Sequence, residues 1–145
     1  MKYIVLAVLM FLLGALLTTF RPEPQPLIPV VRMRTPDGFF VTFVQDRVRG
    51  HQVCKAAIDA YVEPLKAACP ACAVESSDCA TKLVGIEGAL AEDRQLPIYA
   101  VSAEGLRMSV VGPPRLVKEW CERLATQLVL KGLKSAACVF PPGGA

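Results

Sequence analysis

Six cysteines and one histidine are the residues of this 145-residue chain whose spacing speaks most directly of chemistry. Cys54, Cys69, Cys72, Cys79, Cys121 and Cys138 form an even set. An even count in a small domain behind an export-type segment reads as a disulfide framework. If a helix ending near Gly132 runs antiparallel to the strand after it, Cys121 and Cys138 reach similar depth and can bridge. Cys54 with Cys69 is excluded on a continuous helix, because about 22 Å would separate them. Two pairings of the other four stay open: Cys54 with Cys72 and Cys69 with Cys79, or Cys54 with Cys79 and Cys69 with Cys72. Cys54, at the far end of its helix from the loop cysteines, also fits a buried free thiol.

Cys69-Pro70-Ala71-Cys72 has the spacing of a thiol-disulfide site. Such a site wants its first cysteine at a helix N-terminus, where the dipole favours thiolate, whereas this pair follows a helix. Zinc would need Cys69, Cys72, Cys79 and a fourth ligand, and the second C-x-x-C is missing. Ala73, not histidine, follows Cys72, which excludes the covalent haem motif. His51 is the sole histidine, beside Gly50 at a helix start, with no triad motif around it. Structural disulfides are therefore the expectation, with no cofactor, no metal and no catalytic residue assigned.

The elements that must position these residues are legible in part. Phe39, Val41 and Phe43 alternate with Phe40, Thr42 and Val44, a strand buried on at least one face. Cys54, Ile58, Tyr61, Leu65 and Ala68 fall on one helical face, with Pro64 set to kink that helix or start another. Residues 69–79 read as a cysteine-pinned loop, and 80–91 as a short helix or irregular chain weakened by Gly85 and Gly88. Residues 98–101 and 106–111 form a hairpin. A helix follows, with Val117, Cys121, Leu124 and Leu128 as its stripe and Trp120 at the border, and residues 136–140 give a last strand.

Read in order, this is an α+β domain of the ferredoxin-like β-α-β-β-α-β type, preceded by a single N-terminal transmembrane helix. In topology alone it resembles the short-anchored ferredoxin-like modules that act as scaffolds in secretion, pilus and cell-division machines. The expected domains are a signal anchor at 1–21, a Pro-rich spacer at 22–29, a disulfide-stabilised domain at 30–140 and a disordered tail at 141–145.

The anchor rests on 18 uncharged residues, from Tyr3 to Phe20. They reach about 27 Å as a helix, close to a bilayer core of about 30 Å. A cleaved signal is the rival reading, but no small-residue cleavage site follows the run. Charge leaves the orientation open, and the cysteines decide it: the domain is expected in the periplasm, on a bacterial inner-membrane anchor.

A net charge of +3 without a basic stripe argues against nucleic acid. There is no phosphate-binding glycine loop. Asp59, Glu63, Glu119 and Glu122 stand at helical spacing from Lys55, Lys66, Lys118 and Arg123, as solvated charge pairs do. Arg32, Arg34 and Tyr99 are the candidate ligand or partner face. The expected function is a non-catalytic envelope binding or scaffold module whose partner is another envelope protein or a second copy. The alternatives are an accessory of surface-polysaccharide or lipid-linked precursor synthesis, and a thiol-disulfide protein using Cys69 and Cys72.

All six cysteines should resist alkylation until the protein is reduced, a gain of six adducts read by intact mass. Free alkylation without reduction would place the domain in a reducing compartment.

Overall fold

The computed structural model describes residues 23–133 and 135–143. The expected anchor over Tyr3 to Phe20 lies outside the described residues. Among those described, no helix is long and apolar enough to cross a membrane.

The chain runs β1 (Pro26–Arg34), β2 (Phe40–Gln45), β3 (Val48–Arg49), α1 (His51–Ala68), β4 (Ala73–Ala80), α2 (Gly85–Ala91), β5 (Tyr99–Ala103), β6 (Leu106–Val111), α3 (Val117–Leu130) and β7 (Ala137–Val139). The strands make one sheet in the order β4-β1-β2-β6-β5-β7, with every neighbouring pair antiparallel. β3 prolongs the β2 side of β1 by two residue pairs.

The mixed α+β class holds, with an antiparallel sheet and three helices. The strand order is not that of a ferredoxin-like sandwich. β2 and β4 flank β1, and α1 crosses between them; β6 and β7 flank β5, and α3 crosses between them. Two ββαβ units thus stand side by side, joined at β2 and β6, instead of interleaving as ferredoxin-like split units do.

Two sequence expectations caused the difference. β4 occupies what reads as a cysteine-pinned loop, and β1 begins at Pro26, inside the expected spacer. Glu75, Ser76, Ser77 and Asp78 give β4 no apolar alternation, because it is an edge strand with a polar flank. Pro29 is tolerated in β1 because it falls between the β2 pairing, which starts at Val30, and the β3 pairing, which ends at Leu27. One flank of the ladder is already interrupted there.

Strand alternation builds two cores. Val31, Met33, Val41, Phe43, Val101, Leu106, Met108 and Val110 face α1 and α3, meeting Cys54, Ile58, Val62, Val117, Cys121 and Ala125. Ile28, Val30, Val44 and Ala100 face the other way and lie under Ala89, Leu90 and Leu96, from α2 and the turn after it. The sheet face turned away from α1 and α3 is therefore partly covered by α2. α1 is one helix with Pro64 inside it, at an exposed position.

The Thr35-Pro36-Asp37-Gly38 turn joins β1 to β2, with Gly38 at φ 82 and the Phe39 amide donating to Thr35 Oγ1 at 3.1 Å. Phe39 stacks on Trp120 of α3 with ring centroids 4.8 Å apart. Gly112 makes room for that stack, because a Cβ there would collide with the Phe39 ring. Gly112→Ala should cost about 1–3 kcal/mol by displacing a ring that has nowhere to move. Urea unfolding followed through Trp120, the sole tryptophan, reads this directly; an unchanged midpoint would count against the packing.

Candidate functional site

Arg32 and Arg34 occupy alternate positions of β1 on the side of the sheet that α2 covers. Arg32 is already fully used. Its Nε and Nη2 donate to the two carboxylate oxygens of Glu87 on α2 at 2.5 and 2.6 Å. Its Nη1 donates to Ser76 Oγ at 2.9 Å and Asp78 Oδ2 at 2.6 Å, both on β4. The Glu87 hydrogen bonds, aided by Asp78, push the Arg32 pKa further up against the lowering effect of burial, so the guanidinium stays charged. Arg34 pairs with Glu75 of β4 at 2.7 Å.

Tyr99 lies on the opposite face. It packs with the α1 and α3 core and meets Phe140 edge-on at 5.8 Å. The structure therefore does not bring Arg32, Arg34 and Tyr99 together as one ligand face. Alternation on β1 and β5 sends them to different sides of the sheet, and the register between distant strands is what sequence periodicity cannot supply. Glu87 and Asp78 are the residues that sequence reasoning missed. They lie 55 and 46 positions from Arg32, and no local pattern links them to it.

The cysteines pair as Cys54–Cys79, Cys69–Cys72 and Cys121–Cys138, with Cα separations of 6.0, 5.3 and 5.7 Å. The Cys121–Cys138 bridge agrees with the depth argument, and of the two open pairings the second is the one formed. Cys54 is not a free thiol. β4 runs back alongside α1, so Cys79 arrives beside the first turns of the helix and the distance problem disappears. Each ββαβ unit thus carries one bridge from an early turn of its helix to its outermost strand. Cys69–Cys72 instead closes the bend between α1 and β4, where the Cys69 amide donates to Leu65 O and the Cys72 amide to Cys69 O.

Two grooves flank these staples. One, of about 460 Å³, lies between α3 and β7 and is lined by Ala125, Thr126, Val129, Cys138 and Phe140, with Glu122 its carboxylate. The other, of about 360 Å³, lies between α1 and β4 and is lined by Ile58 and Cys79 together with His51, Lys55, Asp59, Ser77 and Asp78. They are the same place in the two units, between the crossover helix and the edge strand. Among the described residues no group of three or more His, Cys, Asp or Glu side chains is arranged to hold a metal. Of the charge pairs expected on the helices, Glu119–Arg123 is formed at 2.5 Å, and the Lys118 ammonium instead sits 5.3 Å over the Phe140 ring.

No family model, curated protein or solved structure matches the chain.

Two expected outcomes test the site's architecture. The bridges span 25, 17 and 3 positions. Double Cys→Ser replacement should then cost about 3.5, 3 and 2 kcal/mol in that order, measured by denaturant midpoints. Arg32→Met should cost about 2 kcal/mol by leaving Glu87 and Asp78 unanswered. Adding Glu87→Leu should recover most of that loss, and two independent, additive losses would show that the clamp is not a coupled unit.

Proposed function

We propose that the chain is a non-catalytic binding or scaffold module of the bacterial cell envelope. Residues 1–21 anchor it in the inner membrane, and the stapled domain stands in the periplasm. The observation that carries this reading is the placement of the two long-range disulfides, each fixing an edge strand of the sheet to the helix beside it. Edges held this way present a rigid surface to a partner, and the bridges suit an oxidising compartment.

The β7 edge is the better partner surface. Residues 136–140 carry no charge, and Val129, Val139 and Phe140 are exposed beside them. The β4 edge is guarded by the Arg34–Glu75 and Arg32–Asp78 pairs. The partner is another envelope protein or a second copy of the chain.

The polysaccharide-accessory reading loses its support once Arg32 and Tyr99 fall on opposite faces. A thiol-disulfide role keeps one observation, the local Cys69–Cys72 bridge. It ranks second because that bridge caps a helix C-terminus, which disfavours a thiolate.

A photo-crosslinking residue at Val139 or Phe140 should give discrete adducts in intact cells, and one at Lys66 on exposed α1 should not. Protease added to spheroplasts should remove the domain. Resistance in spheroplasts that disappears on lysis would put the domain in the cytoplasm and overturn the reading.

A further inference from the structure

The end of the sheet from which β1 starts carries exposed apolar and cationic side chains that the packing does not use. Pro26 opens β1 only six positions after Phe20, the last residue of the uncharged run. Fully extended, that connection reaches about 20 Å. Antiparallel register brings β3 and the first turn of α1 to this end. It also brings the close of β4 and the Glu104–Gly105 turn. α3 starts after the opposite end of β6 and packs along β5 and β7, so its last turn finishes here too.

The two helix tips at this end are greasy. Leu130 is 81% exposed and Val129 49% on the last turn of α3, and Val53 is 54% exposed on the first turn of α1. Arg47, Lys82 and Lys131 stand in three separate loops around them, without an ion-pair partner among the described residues. Other charges at this end are answered: Arg49 by Glu23, and Arg107 by Asp46 and Asp93. Glu104 is the carboxylate here that has no such partner.

We propose that this end of the domain seats on an anionic lipid surface. Leu130 and Val53 enter the headgroup boundary, and Arg47, Lys82 and Lys131 meet lipid phosphates. Apolar tips ringed by cations are what such a boundary accepts. Lipid is the occupant because the uncharged 18-residue run ends within about 20 Å of this surface. The inference rests on the anchor reading and deepens it by saying which end faces the bilayer. α1 and α3 then stand upright on the membrane, and the edges β4 and β7 remain open to a partner.

The test is hydrogen exchange on the full chain in phosphatidylglycerol-containing nanodiscs, compared with phosphatidylcholine nanodiscs and with detergent. Amides at 51–54, 104–106 and 129–133 should slow severalfold on the anionic discs, with 35–38 and 113–116 unchanged. Leu130→Ser with Lys131→Glu should abolish the slowing without reducing incorporation into discs, since both side chains are exposed. Incorporation without slowing at this end overturns the inference while the anchor stands. A chain recovered outside the discs overturns both. Equal slowing on the phosphatidylcholine discs, whose zwitterionic headgroup also carries a phosphate, overturns the requirement for an anionic surface, and concentration-dependent slowing in detergent would assign the surface to a second copy.

Discussion

The pairing of β2 with β6 is the contact on which the rest of the molecule depends. Six residue pairs, from Phe40 with Val111 to Gln45 with Leu106, join the two ββαβ units. An antiparallel pair has local two-fold symmetry, so placing these strands together sends each unit's third strand to an opposite edge. That arrangement puts both crossover helices on the same face. Along the seam, Val41 meets Val110 and Phe43 meets Met108 under those helices, and Thr42 meets Ser109 on the other face. The chain joining the units must cross that second face, and α2 does so with small residues. Gly88 and Ala89 are buried there, and a Cβ on Gly88 would come within 2.8 Å of the Leu83 carbonyl oxygen. The Arg32–Glu87 clamp then holds a seven-residue helix that could not persist alone.

Distance from the seam explains where the covalent bonds lie. β1, β2, β5 and β6 have strands on both sides, and β1, β2 and β5 feed both cores, whereas β4 and β7 have one neighbour each. β7 is three residues long, too little main-chain bonding to hold an edge by itself. Cys138 supplies the attachment, through the fully buried Cys121. Cys79 does the same for the polar β4 through the fully buried Cys54. Both bridges therefore join the core to an edge strand, where hydrophobic burial is thinnest. For a domain of this size such staples offset a limited core.

Local physics was readable from the sequence, and long-range register was not. The strand at 39–45, the 98–111 hairpin, both long helices and the Cys121–Cys138 bridge follow from periodicity and reach. Each depends on residues close in sequence or joined by one turn. β4 was hidden because an edge strand needs no apolar alternation, and Val74, Ser76 and Asp78 look like loop chain. Without β4 the Cys54 partner stayed open, and the element order imitated a ferredoxin-like pattern. The candidate face failed for a related reason: Arg32 and Tyr99 belong to strands that never touch, so only the finished sheet says that they point apart. The repeat of ββαβ is likewise a property of topology. The first unit joins its hairpin through the five residues 35–39 and the second through Glu104–Gly105, and this difference blurs any common spacing.

The two edges avoid uncontrolled strand pairing by different means, and this limits what a partner can use. β4 carries Glu75 and Asp78, tied to arginines of β1, so an incoming strand would have to desolvate charge. β7 has no charge of its own and relies on brevity, with Pro141 and Pro142 following it closely and withholding the amides that would lengthen the ladder. Three residues of free edge offer few main-chain hydrogen bonds. A partner at β7 must draw most of its affinity from side chains placed between α3 and the strand, against Val129, Ala125 and Phe140. Selectivity then resides in the shape of that groove, which the Cys121–Cys138 bridge fixes at the middle of the strand and the Tyr99–Phe140 contact just after its end. Recognition of this kind needs the edge fixed before the partner arrives, which is the physical reason for stapling a strand too short to fix itself.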